Sequence, residues 1–184
     1  MKTKLFLLAF TLILISLQSK AQDFITRTGH ITFVSSTPME TIEGNNYSVS
    51  SILNTKTGEL IFSLLNKSFQ FKQALMEEHF NEKYMESDKY PKATFKGKIK
   101  DISKVNFSKD GIYQVEVEGE LSMHGVTKTV TEPGTIEVKG GEIIAKANFN
   151  VVPEDYKIEI PALVREKIAK IIPIKVDMDY KPKK

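Results

Sequence analysis

Alternation with a period of two runs through this sequence and confines the chain to sheet. Over residues 113–123, Tyr113, Val115, Val117, Gly119, Leu121 and Met123 fall on one face, and Gln114, Glu116, Glu118, Glu120 and Ser122 fall on the other. Successive strand side chains point to opposite sides, so this segment reads as a half-buried strand with a polar outer face. The pattern recurs in Ile172, Ile174, Val176, Met178 and Tyr180, and in Ala145, Ala147, Phe149 and Val151. Shorter versions are Ile136 and Val138; Phe95, Gly97 and Ile99; Leu60, Phe62 and Leu64; and Ile31 and Phe33. Thr57-Gly58, Lys109-Asp110-Gly111 and Gly140-Gly141 punctuate the runs. The paired glycines predict a tight hairpin, because they supply the positive φ of a primed turn. About eight strands at near-regular spacing imply an all-β domain, either one antiparallel sheet closed on itself or two packed sheets.

Two short helices interrupt this plan. Residues 72–85 are rich in helix formers and place Leu75, His79 and Phe80 near one face. Residues 162–169 follow Pro161, which suits a helix start, and Pro173 limits the end. There is no internal repeat, low-complexity stretch or linker, so one domain is expected.

The N-terminus is expected to be removed. Lys2 and Lys4 precede a thirteen-residue run, 5–17, in which only Thr11 and Ser16 are polar, and Ser19-Lys20-Ala21 follows. Charge, a short apolar run and small residues at the cleavage position are the marks of a secretory signal, too short to span a bilayer. The reading is a signal peptide over 1–21 and a periplasmic or secreted domain over 22–184, with no transmembrane anchor after cleavage. Three of the 26 basic residues lie in the signal, which leaves 23 basic against 23 acidic. A neutral domain lacks the positive footprint that nucleic-acid binding needs. Lys181, Lys183 and Lys184 read as a solvated basic terminus.

The chain has no cysteine, so disulfides, thiolate catalysis and cysteine metal sites are excluded. Its three histidines, His30, His79 and His124, show no H-E-x-x-H or H-x-H spacing. There is no G-x-S-x-G, and Ser122 and His124, two apart on a predicted strand, share a face without an orienting base. Among the carboxylates only Asp155 has an apolar context. No glycine-rich phosphate loop precedes a helix. Asn46, Asn66 and Asn106 head N-x-S triplets that carry weight only in a glycosylating host. The chain is not expected to be an enzyme; a metal-dependent or hydrolytic enzyme using His79 and His124 is the alternative.

The inward positions are rich in aromatics and methionines: Phe33, Phe62, Phe69, Phe71, Phe80, Phe95, Tyr113, Phe149, Met123 and Met178. An eight-strand barrel is just wide enough to be filled by side chains or to hold one small ligand. The small inward residues Gly97, Gly119, Ala145 and Ala147 would leave room for an apolar ligand. From the residues alone, a ligand channel and a filled core both remain open.

Three segments resemble the YceI-like proteins. Glu78-His79-Phe80 followed by Lys89-Tyr90-Pro91-Lys92-Ala93-Thr94-Phe95-Lys96-Gly97 is similar to their K-Y-P-x-A-x-F segment. Residues 119–128, with His124-Gly125-Val126-Thr127-Lys128, resemble their G-x-L-T-x-H-G-V-T-K segment. Asn148-Phe149 through Asp155-Tyr156-Lys157-Ile158 resembles their F-x-x-x-x-x-D-Y-G-I segment. Lys157 stands where that pattern has glycine, Ser122 replaces its threonine, residues 38–54 depart from its usual opening, and residues 63–71 are more apolar. The resemblance implies a lipocalin-like antiparallel β-barrel of about eight strands, extracytoplasmic, holding an isoprenoid-type lipid in its lumen and needing no cofactor. The lining residues expected are Phe62, Phe69, Phe71, Phe80, Phe95, Tyr113, Met123, His124 and Phe149. His124 is also read as a structural residue bonded to a backbone carbonyl. A scaffold whose barrel binds nothing is the remaining alternative.

Overall fold

The computed structural model describes residues 23–183; the signal expected over 1–21 lies outside them. Nine strands form one antiparallel sheet: β1 (Asp23–Ser36), β2 (Thr41–Asn54), β3 (Glu59–Leu65), β4 (Gln70–Phe71), β5 (Lys92–Ile99), β6 (Gly111–Met123), β7 (Val126–Lys139), β8 (Glu142–Val151) and β9 (Ile172–Pro182). The order is β1-β9-β8-β7-β6-β5-β3-β2-β4, and β1 also pairs with β2. That pairing closes eight strands into a barrel, with the two-residue β4 pairing farther along the same edge of β2 that β3 uses, opposite β1. Closure leaves no long free edge, which is why strands this regular do not need a covering layer.

The expected alternation is the one observed. On β7 and β8, Ile136 pairs with Ala145 and Val138 with Ile143 across the Gly140-Gly141 turn, whose φ values are +58° and +82°. The first β strand is less regular, with register shifts against β2 between Thr26 and Gly29 and between Gly29 and Ile31. Such bulges bend and coil a strand, as barrel closure requires.

The two barrel ends differ. One end is packed solid by Leu53, Leu60, Ile99, Val138, Ile143, Met178 and Tyr180, and the segment after β5 closes it with buried Val105. There the Tyr180 hydroxyl donates to Ser51 Oγ at 2.6 Å, and Ser51 donates to the Ile61 carbonyl at 2.8 Å. Burial holds the Tyr180 hydroxyl well above the usual tyrosine range. The opposite end carries the His124-Gly125 hairpin, the Pro153–Tyr156 turn and the helical insertion between β4 and β5.

Two expectations are corrected. The helix expected over 72–85 is an α-helix only in Ala74–His79 (α1); Phe80–Tyr84 is a wider turn in which the Met85 N–H reaches the Phe80 carbonyl. The helix expected over 162–169 is a 3₁₀ stretch, Ala162–Lys167, tied down by Arg165 to Glu154 and to the Ile160 carbonyl. So short a segment does not sustain an α-helix by propensity alone. Lys181 and Lys183 are exposed, as a solvated terminus implies; Lys181 pairs with Glu142 at the surface, and the Lys183 N–H donates to the Asp23 carbonyl at 2.8 Å, while Lys184 lies outside the described residues.

Candidate functional site: an apolar cavity at the open end of the barrel

Between the packed end and the helical insertion lies a cavity of about 210 Å³. Its wall at β1, β4 and the insertion is a box of four phenylalanines. The Phe80 ring lies 5.4 Å from Phe33, 5.3 Å from Phe69 and 5.1 Å from Phe71, and Phe33 lies 5.4 Å from Phe69. Offset and edge-on rings at such distances are attractive beyond their buried area. Met76, Tyr84 and Met85 from the insertion also line the cavity, as do Ile158, Ile160, Ile168, Ile172 and Ile174, the last paired with Phe33 across β1 and β9. Among the described residues no charged side chain lines this cavity.

A second cavity of about 140 Å³ continues toward the packed end. Ile31, Leu64, Ala93, Leu121 and Phe149 line both. Phe62 and Phe95, whose rings meet edge-on at 6.1 Å, form one wall; Gly134, Ala145 and Ala147 form another. Together the two spaces reach the lower end of the roughly 300–1,000 Å³ typical of small-molecule sites.

The expected lining residues separate into three groups. Phe69, Phe71, Phe80, Met123 and Phe149 line the larger cavity, and Phe62, Phe95 and Phe149 line the smaller. Tyr113 and His124 line neither. Tyr113 lies toward the packed end, where its hydroxyl donates to the Lys109 carbonyl at 2.9 Å. The room expected at Gly97 and Gly119 is also absent. These two glycines face each other across β5 and β6, and a Cβ on Gly119 would lie 2.4 Å from the Gly97 Cα and 2.7 Å from the Phe95 ring. They let the strands and that ring approach, whereas Ala145 and Ala147 do border open space.

His124 is not on a strand, as its alternation with Ser122 suggested, but in the two-residue turn joining β6 to β7, with φ +50°. Its ring is buried. Nδ1 is hydrogen-bonded to the Tyr156 carbonyl at 3.0 Å, Nε2 lies 2.9 Å from Glu86 Oε2, and the Tyr90 ring packs edge-on at 4.6 Å. One side chain thus joins the β6–β7 hairpin to the two loops that frame the mouth, and neither ring partner is His79. Among the described residues no group of three His, Asp or Glu side chains is placed to hold a metal ion.

Among the polar residues that line the two cavities, sequence reasoning passed over Glu132 and Asn66. Glu132 lies in phase with Ile136 and Val138 on the inward face of β7 and lines the smaller cavity. It forms no hydrogen bond or ion pair among the described residues, and burial raises its carboxyl above the usual range. Its position in the alternation was a usable signal. Asp155, singled out from sequence, instead pairs with Lys128 at 2.9 Å. The second missed group is Asn66, which lines the larger cavity and carries no sequence signal for that role.

An antiparallel eight-stranded barrel, packed at one end and hollow and apolar at the other, defines the class. Within it, the chain belongs to the YceI-like domain family, whose model matches residues 22–180. A polyisoprenoid binding domain from Saccharophagus degradans implicated in plant cell wall breakdown is similar in structure, at TM-score 0.77 and 17% identity, over 89% of this chain and all of that one. BcnA from Burkholderia cenocepacia has TM-score 0.68 and 17% identity over 83% of this chain and 96% of its own. The Campylobacter jejuni YCEI protein has TM-score 0.57 and 18% identity over 77% and 84%. At such identities the likeness is one of fold. No curated protein sequence matches the chain.

Proposed function

We propose that the protein is exported by its N-terminal signal and binds an apolar, isoprenoid-type lipid inside the barrel, as a binding protein and not an enzyme. The observation that carries the reading is the uncharged cavity under the Phe33–Phe69–Phe71–Phe80 box, continuous in its walls with the space beyond Phe149. Covering a chain of methylenes and methyls there gains about 25 cal/mol per Å² removed from water, and the taper from box to packed end selects by shape. Family membership supports the same reading, since the similar Saccharophagus domain is described as polyisoprenoid binding. His124 serves the frame of the mouth, which leaves the enzymatic alternative without an assembled site.

Native mass spectrometry of protein purified gently from its own host, followed by solvent extraction, tests the lipid. A co-purifying isoprenoid supports the reading. An empty protein that also fails to take up added isoprenoids overturns it. Recovery of a mature chain starting near Gln22 from outside the cytoplasm tests export.

A further inference from the structure

The strands β7 and β8 pair from Lys139–Glu142 to Gly134–Ala147 and no further. Both run on past that rung: β7 stays paired with β6 as far as Val126, and β8 with β9 as far as Val151. Had the ladder continued, Pro133 would face Asn148, Glu132 would face Phe149, Thr131 Asn150, and Val130 Val151. Pro133 stands where the strands part; it has no N–H to donate, and prolines sit in sheets where a ladder is interrupted. The strands β2 and β3 also part, beyond Ser50–Ser63, but there Asn46 reaches the Leu65 carbonyl and β4 takes up the edge of β2. Nothing similar fills the gap between β7 and β8 among the described residues. It is bounded by the Gly134–Ala147 rung at one end and by the Lys128–Asp155 ion pair at the other.

This gap opens on the lumen. Val130 and Glu132 on one edge and Ala147 and Phe149 on the other line the smaller cavity. All four are half-buried, whereas Ile136, Val138, Ile143 and Ala145, on the paired stretch of the same two strands, are buried. Both ends of the lumen, by contrast, are covered by packing. One is filled around Leu53 and Tyr180. At the other, Met85, Tyr156, Ile158 and Ile160 are buried in one apolar cluster with Phe80 and Val126, and the His124 ring ties the segments together through Glu86 and the Tyr156 carbonyl. A chain passing that end has to part buried, bonded segments, which requires a cooperative local opening. Slipping between β7 and β8 breaks no ladder pairing, because none is made there. Resting on the lipid-binding reading, we infer that the lipid chain enters and leaves the lumen through the side of the barrel, by the window between β7 and β8, and not past the clamped end.

The chain has no cysteine, so introduced thiols are unambiguous. Thr131 and Asn150 are exposed, one on each edge of the window. With Thr131→Cys and Asn150→Cys in one chain, a short bis-methanethiosulfonate staples the two edges and a reductant releases them. Protein loaded with farnesol is mixed with excess deuterated farnesol, and native mass spectrometry follows the replacement. The staple should slow replacement about tenfold or more, and reduction should restore it. Replacement at an unchanged rate in the stapled protein overturns the window while leaving lipid binding intact; if farnesol does not bind at all, the lipid reading itself fails. Should the pair fail to fold or to staple, Val130→Cys decides. A charged maleimide should modify this thiol in the lipid-free protein, and bound farnesol should shield it. A thiol that stays unmodified, or that farnesol leaves unshielded, overturns the window as well.

Discussion

The His124 Nε2 atom lies 2.9 Å from Glu86 Oε2, and this contact joins two residues that both have positive φ, +50° and +43°. Non-glycine residues rarely hold that conformation, and they keep it only when their surroundings over-determine it. Here the surroundings are mutual. Both ring nitrogens of His124 are engaged, Nε2 by the Glu86 carboxylate and Nδ1 by the Tyr156 carbonyl. The turn conformation aims the ring, and the bonds hold the turn.

His124→Ala should therefore destabilise the domain by about 2–3 kcal/mol, from two lost hydrogen bonds to a buried ring. Glu86→Gln should cost under about 1 kcal/mol, because that carboxylate is 42% exposed and the amide oxygen still accepts. Urea denaturation checks both. Equal and small effects would mean that the hairpin stands without its clamp.

Lys157 also has positive φ, +58°, directly after the Pro153–Tyr156 turn. A left-handed conformation costs a side-chain-bearing residue about 1–2 kcal/mol, and glycine offsets part of that through its freer unfolded chain. Lys157→Gly should raise stability by about 1 kcal/mol and the melting temperature by about 2–4 °C, read by calorimetry. A lower melting temperature would show that the lysine side chain holds the turn.

That residue also shows what could be read from sequence. The departure from the D-Y-G-I pattern was visible at Lys157, and its cause, a backbone that prefers glycine, became visible only with φ in hand. Strand faces were legible because burial on one side enforces a period of two, and Glu132 obeyed that period although its charge hid it. The larger cavity was only partly legible. Phe71 comes from β4 and Phe69 from the residue before that strand, Phe80 from the helical turn, and Ile158, Ile160 and Ile168 from irregular segments; what places them together is chain closure, which leaves no local pattern. Tyr113 and His124 were drawn to the site by residue type, whereas their depth along the barrel axis sets their roles.

The Gly97–Gly119 pair tests a different kind of packing. Gly119→Val should cost about 2 kcal/mol or more, since its Cβ meets the Gly97 Cα and the Phe95 ring and neither strand can retreat without breaking its ladder. Ligand uptake should fall in parallel, because Phe95 would be pushed into the smaller cavity. Unchanged stability would mean that β5 and β6 separate easily.

Glu132 gives a pH signature. Its carboxyl is raised in the folded protein by burial, so folding favours the protonated form. Its contribution is then most favourable below the unfolded-state value and is lost as pH rises through the folded one. Lys146, which lines the same cavity, is engaged by Asp177 at 3.5 Å, and Lys128 by Asp155, so neither cation is held against Glu132. Glu132→Gln should gain on the wild type in urea midpoint as pH rises from the ordinary carboxylate range toward neutrality. A difference that stays flat, or shrinks, would place a cation against this carboxylate.

The smaller cavity can be filled without touching the clamp or the aromatic box. Ala147 borders it on β8, paired with Gly134 on one side and Val176 on the other. Ala147→Leu adds apolar atoms where none are packed, so the lipid-free protein should gain about 0.5–2 kcal/mol, as cavity-filling changes do. The same leucine shortens the channel beyond Phe149. Farnesol should then keep its affinity, while a longer prenyl alcohol should lose about tenfold or more, because its distal units no longer enter. Opposite signs for stability and long-chain binding are the outcome to look for in paired calorimetric melts and titrations. If long and short alcohols weaken together, the chain does not run through the second cavity; if neither weakens, the lipid does not enter the barrel along this axis.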